Sequence, residues 1–306
     1  MMLSFKNLIS VDDLTRPDVE LLLTRSAEMH RRSGVLDMAR GKILSSLFFE
    51  PSTRTRFSFE AAMYRLGGHV ITLESGEASS IQKGETLSDM GRIMSGYCDI
   101  AVLRHPTPQS VAKFSELATV PIINAGDGPN QHPTQSLLDL YAIKHFQGRV
   151  DNLTIGFVGD LKFGRTVNSL MKLLSHFSGI TFYCISHPRL SAATELIAFL
   201  RNKGHKVIET EALKDVLPEL DVLYMTRVQK ERFETEKEYL EVRDHILLNS
   251  ETLRGNKPSL SVLHPLPRVN EISPELDSHP SAHFFEQAKF GLFVRMALIS
   301  ELLGCG

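Results

Sequence analysis

The chain has few cysteines, no excess of either charge and no long apolar run, and each absence removes a class of function. Cys98, Cys184 and Cys305 are the only cysteines among 306 residues, odd in number and widely spaced. That arrangement gives neither a metal-ligand pattern nor a disulfide framework, and it suits a reducing compartment. The 34 Lys and Arg nearly balance the 36 Asp and Glu, leaving a formal net charge of −2. No global field therefore draws the protein to nucleic acid or to an anionic membrane. Any positive potential has to be local. No apolar stretch approaches the ~20 residues that cross a bilayer, and the first residues reach Lys6, Asp12 and Asp13 too soon for a secretory signal. The expectation is a cytoplasmic protein without nucleic-acid or membrane partners. Repeats, low-complexity tracts, a glycine-rich P-loop and a Ser/His/Asp triad are likewise missing from the sequence.

What is present is ordinary globular material, 42% hydrophobic and 23% charged. Its length favours two domains, each with its own core. Helical spacing opens the chain over residues 17–31, and an apolar run over 43–49 has strand length. Further strands are expected over 70–73, 100–103 and 120–123, with helices between them and another over 133–146. The pattern restarts after residue 152 with strands over 153–158, 180–185, 221–225 and 261–263, a helix over 165–177 and a final helix over 285–303. Alternating strands and helices of this size predict an α/β fold of two three-layer αβα domains, each with a parallel sheet, and an active site in the cleft between them. The expected boundaries are 1–147, with the C-terminal helix 285–306 packing back toward that domain, and 148–284.

In such sheets ligands collect at the carboxyl ends of the strands. The residues there are richer than turns require: Ser52 to Arg56, Arg104-His105, Gln131 to Gln135, Lys162 with Arg165, Thr226 to Gln229, and His264 to Arg268. The sharpest is Pro51-Ser52-Thr53-Arg54-Thr55-Arg56, between a strand and a helix. A helix start offers unpaired N–H groups and the positive end of the dipole, hydroxyls add compact donors, and an arginine fork grips phosphate oxygens. The plain alternative is an N-cap followed by surface arginines, but a cap needs only one hydroxyl. Gly159-Asp160-Leu161-Lys162-Phe163-Gly164 lacks the spacing of a dinucleotide loop and places an acid where pyrophosphate would lie.

The segment Phe48-Phe49-Glu50-Pro51-Ser52-Thr53-Arg54-Thr55-Arg56 resembles the phosphate loop of the aspartate/ornithine carbamoyltransferase family. The likeness extends from Phe5 to Phe290-Gly291-Leu292-Phe293-Val294-Arg295. It implies transfer of a carbamoyl group from carbamoyl phosphate to an amino acid, without a cofactor or a metal. By this resemblance Ser52, Thr53, Arg54 and Thr55 bind phosphate, Thr55 also nears the carbonyl oxygen, and Arg56 is structural. Arg104 and His132 would face that carbonyl oxygen, and Gln135 would accept from the carbamoyl amide. The Pro265 and Leu266 carbonyls would point at the amide nitrogen, and Leu266 with Pro267 counts in the carbamoyl phosphate site. Fixed donors facing charge that develops on the carbonyl oxygen and then on phosphate lower the barrier without a protein nucleophile. Taken alone, His132 would read as a structural histidine at a helix start; within its motif it reads as a ligand.

For the second substrate the resemblance gives Arg165, Arg227 and Gln229, and two guanidinium groups suit a dicarboxylate. The ornithine branch carries cysteine in the second position of the motif His264-Pro265-Leu266-Pro267, where this chain has Pro265, so aspartate is the expected acceptor. The loop Ser79-Ser80-Ile81-Gln82-Lys83-Gly84 would enter a neighbouring subunit's site, Ser79 and Lys83 completing it, with Lys83 reaching phosphate and carboxylate. That implies a homotrimer with shared sites, to which a zinc-containing regulatory subunit could add. The implied catalytic set is Arg54, Thr55, Lys83, Arg104 and His132, with Glu50 meeting Arg165 and Arg232 on domain closure. Asn270 departs from the family's aspartate and removes a charge beside Arg268. Two alternatives stay open: the same fold acting on another amine acceptor, and a silent subunit serving as a scaffold.

Overall fold

Strands covered on both faces must be apolar almost throughout, and that requirement shapes both sheets of this chain. The computed structural model describes residues 2–32, 34–74, 84–243 and 245–306. Two compact units result, one of residues 1–138 with 289–306 and the other of residues 139–288.

In the first unit, α1 (Arg16–Arg31) starts at a capping box in which Thr15 and Asp18 satisfy each other's orphan groups, with Pro17 in the first turn. Val19, Leu22, Leu23, Ser26 and Met29 recur on its buried face. There follow β1 (Ile43–Phe48), α2 (Thr53–Arg65), β2 (His69–Leu73), α3 (Leu87–Met94), β3 (Ile100–His105), α4 (Ser110–Ser115), β4 (Ile122–Asp127) and α5 (Pro133–Gln147), whose residues from Asp139 belong to the second unit. The four strands are parallel in the order β2-β1-β3-β4. Ile100, Ala101, Val102 and Leu103 of the central β3 are fully buried, each large side chain contributing about 1.5–3 kcal/mol through removal from water.

The second unit repeats the plan with β5 (Thr154–Val158), α6 (Arg165–Leu174), β6 (Thr181–Ile185), α7 (Thr194–Asn202), β7 (Lys206–Thr210), α8 (Leu213–Val216), β8 (Val222–Met225), α9 (Glu236–Val242) and β9 (Ser261–Leu263); α10 (Phe284–Leu302) starts in this unit, and its residues from Lys289 belong to the first. Its five strands are parallel in the order β7-β6-β5-β8-β9. A core of Val158, Ile185, Leu223, Met225, Val262 and Phe284 lies against this sheet. The two sheets flanked by helices are the architecture that the alternating pattern predicts. β7 went unseen in the sequence because it is a sheet edge: Lys206 and Glu209 are exposed and leave no apolar run. Among the described residues no helix is long and apolar enough to cross a membrane.

Candidate active site

Both sheets reverse their strand order once, and the reversal points select the loops that can receive a ligand. In the first sheet, β2 lies on one side of β1 and β3 on the other; in the second, β6 and β8 flank β5 in the same way. The chain leaving the two central strands at such a point runs to opposite faces, which opens a crevice at their carboxyl ends. The loops concerned are those after β1 and β3 in the first unit, and after β5 and β8 in the second.

In the first unit the loop after β1 delivers Ser52 and Thr53 to the start of α2. Ser52 stands at the N-cap position, yet its side chain makes no cap hydrogen bond. The hydroxyl is therefore not consumed by the helix, as the plain capping alternative would require. Thr55 is buried one turn in, while Arg54 projects. Although Arg54 is open to solvent, desolvation by neighbouring atoms holds its pKa below the usual arginine value. Arg56 turns the other way: Nη1 meets Glu74 Oε1 at 2.5 Å, Nε lies 3.7 Å from Glu60 Oε1, and the guanidinium covers the Phe57 ring. Glu60 also accepts from Ser46 Oγ and Thr72 Oγ1. Arg56 is thus tied into the α2 surface.

Near the carboxyl end of β3 stands Arg104, 8% exposed, whose Nη2 pairs with Glu50 Oε2 at 2.6 Å and whose Nη1 donates to the Ala125 carbonyl at 3.1 Å. Glu50 thereby fixes the guanidinium beside the loop that follows β1. At the end of β4, Asp127 accepts from Gln109 N–H, Asn130 Nδ2 and Gln131 N–H, which ties the following loop into a single shape. Gly128 has φ +59, and a Cβ there would meet the Pro106 carbonyl oxygen at 2.2 Å, so only glycine lets this turn pass so close to the end of β3. Gln131 Oε1 accepts from Ser10 Oγ and Val11 N–H, and His132, buried, immediately precedes α5, its carbonyl accepting from Gln135 and Ser136 N–H. Ser52, Thr53, Arg54 and Thr55 thus follow the carboxyl end of β1, Arg104 stands in the last two residues of β3, and His132 and Gln135 follow β4.

In the second unit the loops after β5 and β8 are laced to each other. Gly159 has φ +108, and a Cβ there would lie 2.5 Å from the Thr226 carbonyl oxygen. Asp160 N–H donates to Thr226 Oγ1 at 2.9 Å, and Thr226 Oγ1 donates to Val158 O at 3.0 Å. Asp160 Oδ1 accepts from Phe163 N–H, and Gln229 Nε2 donates to the Phe163 carbonyl. Burial raises the Asp160 pKa, opposed by N–H groups of Phe163, Gln229 and Lys162 and by the charge of Arg232. The lacing holds Arg165 at the first turn of α6, and Arg227 with Gln229 just past β8. Arg232 closes a short turn, its N–H donating to the Gln229 carbonyl.

Past β9, Leu266 has φ +55 and its N–H donates to His264 Nδ1 at 2.8 Å; Pro267, next in the chain, is exposed. The charge beside Arg268, which Asn270 fails to supply, comes from Asp277: Arg268 Nη2 to Asp277 Oδ2 is 2.7 Å, and Nη1 pairs with Oδ1. Ser79 and Lys83 lie outside the described residues. Sequence reading missed the supporting groups Asp139, Tyr224, Gln287 and Glu271, for which no local pattern exists. Among the described residues no group of three or more His, Cys, Asp and Glu side chains is arranged to hold a metal ion.

Two family models match the chain: the aspartate/ornithine carbamoyltransferase carbamoyl-P binding domain over residues 6–145, and the corresponding Asp/Orn binding domain over residues 151–302. An aspartate carbamoyltransferase catalytic subunit from Thermococcus gammatolerans is 49% identical over 302 residues, 98% of each chain. The catalytic subunit of M. jannaschii aspartate transcarbamoylase superposes with a TM-score of 0.92 at 46% identity, covering 98% of both chains. The Trypanosoma cruzi aspartate transcarbamoylase in complex with carbamoyl phosphate and aspartate superposes with a TM-score of 0.91 at 39% identity, covering 98% of this chain and 97% of that one.

Proposed function

The chain belongs to the aspartate/ornithine carbamoyltransferase family, and from that premise we propose that it transfers the carbamoyl group of carbamoyl phosphate to the amine of L-aspartate, giving N-carbamoyl-L-aspartate and phosphate, a step of pyrimidine biosynthesis. The observation that carries this reading is the coincidence of polar and cationic side chains with both topological switch points: Ser52 to Thr55 after β1 with Arg104 at the carboxyl end of β3, and Arg165 with Arg227 after β5 and β8. One cluster suits a phosphate with an adjoining carbonyl, and the other suits two carboxylates.

The residues divide the chemistry as follows. Ser52, Thr53, Arg54, Thr55 and the first N–H groups of α2 hold the phosphate. Thr55, Arg104 and His132 donate to the carbonyl oxygen, where negative charge grows as the amine attacks. Gln135 and the carbonyls of Pro265 and Leu266 accept from the carbamoyl NH2, which an acetyl group lacks. Arg165 and Arg227 hold the two carboxylates of aspartate, with Gln229 beside them, and carbamoyl phosphate enters first because its charge helps to build the second pocket. The neutral amine forms the new C–N bond, the C–O bond to phosphate breaks, and the amine's proton leaves to phosphate or solvent. Alignment and preorganised donors supply most of the rate, and the reaction as drawn needs no cofactor.

We assign Ser79 and Lys83 to a neighbouring subunit's site in a homotrimer. Large apolar side chains exposed on the first unit, Phe57, Tyr64, Ile71, Ile93 and Tyr97, support association of that unit. A zinc-containing regulatory chain in a larger assembly would bring its own metal. Three unlinked cysteines support a cytoplasmic location. Phosphate release from carbamoyl phosphate, measured with aspartate and with ornithine, tests the activity. Turnover with aspartate alone is expected; preference for ornithine, or none with either, would overturn it.

A further inference from the structure

The loop that follows β9 is held by a chain of buried polar groups that the reaction itself does not use. Tyr224 Oη donates to Asp139 Oδ2 at 2.7 Å, and Gln287 Nε2 donates to Asp139 Oδ1 at 2.6 Å. Gln287 Oε1 in turn accepts from His264 N–H at 2.8 Å, where the loop begins. Asp139, Tyr224 and Gln287 are each fully buried, so every link forms in a medium where a missing partner is costly.

From His264 onward the chain of bonds turns to the side chain. His264 Nδ1 accepts from Leu266 N–H at 2.8 Å, which leaves the ring proton on Nε2, and Nε2 donates to Glu271 Oε1 at 2.7 Å. Glu271 Oε2 accepts from the N–H groups of Val269 and Asn270, both at 3.1 Å, so the carboxylate spans the far end of the loop. His264 and Glu271 are 2% and 3% exposed. Between them, Leu266 adopts φ +55, a left-handed conformation that a γ-branched residue enters only when its surroundings impose it. Without the acceptor at Nδ1, Leu266 would relax toward negative φ and its carbonyl would swing with the peptide plane.

The geometry points to His264 and Glu271 as positioning residues that set the specificity of the site for a carbamoyl over an acyl phosphate, by fixing the left-handed turn at Leu266 and with it the carbonyls that accept from the NH2 group. The proposal rests on the carbamoyl transfer argued above and names the device by which this loop tells NH2 from CH3. A site built to accept from an NH group rejects an analogue without one, because the acceptors are then left unpaired.

The test uses the intact enzyme, its KM for carbamoyl phosphate and the Ki of acetyl phosphate as a competitor. His264→Leu removes the acceptor for Leu266 N–H. His264→Asn keeps it, since the amide oxygen can take the place of Nδ1. Glu271→Leu leaves the ring but removes the group that orients it, and it serves should His264→Leu not fold. The expected result for His264→Leu and Glu271→Leu is a carbamoyl phosphate KM raised about tenfold or more, with acetyl phosphate Ki within about twofold of wild type. His264→Asn should recover most of the discrimination. Equal weakening of both ligands, or full discrimination in both leucine variants, would overturn the positioning role. A wild-type enzyme that binds acetyl phosphate as well as carbamoyl phosphate would instead overturn the assignment of the loop to the amide, and the proposal with it.

Discussion

Of the two arginines in the loop proposed to hold phosphate, Arg54 is the exposed one, since Arg56 is spent on Glu60 and Glu74. In the proposed reaction, removing it deletes a donor to the charge that appears on the departing phosphate. Loss of a single preorganised donor of this kind costs about 100- to 1,000-fold in kcat. Arg54→Ala should lose at least that much in steady-state phosphate release while its melting temperature stays close to wild type; near-normal turnover would remove the residue from its role. Asp18 illustrates a structural charge. Burial raises its pKa, but hydrogen bonds from Ser4 and Thr15 outweigh burial and hold the carboxyl below its ordinary value. A depressed folded-state pKa adds stability that is fully present above the unfolded value and is lost as pH falls through the folded one. Asp18→Asn should therefore be less stable than wild type at pH 7, by about 1–2 kcal/mol. The gap should narrow in urea titrations carried down toward pH 3, and one that widens in acid would contradict the assignment.

At the scale of elements, close approach overrides helix propensity. Gly91 lies within α3, where alanine would normally be favoured by about 1 kcal/mol. A Cβ there would stand 2.0 Å from the carbonyl oxygen of Phe114 in α4, a backbone atom that cannot step aside as a flexible side chain would. Gly91→Ala should thus destabilise by about 1–3 kcal/mol in thermal melts; a stabilised variant would mean that the two helices have room to part. The same contrast between local and distant causes decides how much could be read in advance. β1, β3, β5, β6, β8 and β9 show as apolar runs because parallel strands are buried on both faces. The edge strand β7 carries charge, α7 starts at Ala193 without a side-chain cap, and α8 has only four residues, so none announces itself. The loops of the candidate site were legible because a strand end gathers its polar residues in consecutive positions, as in Ser52 to Arg56. Their supports were not. Tyr224 reaches Asp139 across 85 positions and Gln287 reaches it across 148, and no window of sequence contains both partners.

At the scale of the whole molecule, the proposal makes the assembly part of the chemistry. If Lys83 of one chain serves a site that Arg54 of the next chain completes, no monomer holds a full set of donors, and the native mass should be three times the 34.3 kDa of the chain. Two inactive variants then contain everything needed for an active site. Lys83→Ala chains keep Arg54, and Arg54→Ala chains keep Lys83. In a trimer closed by cyclic symmetry, each site takes one face from each of two neighbours, so random reassembly of equal amounts leaves about a quarter of the sites with neither substitution. Mixing the parents after reversible dissociation should restore activity to about a quarter of wild type, rising and falling with the mixing ratio and greatest at equal amounts. Were each site built within a single chain, every site would carry one substitution whatever the ratio, and activity would stay at the level of the parents even after mass measurement had shown the hybrids to form.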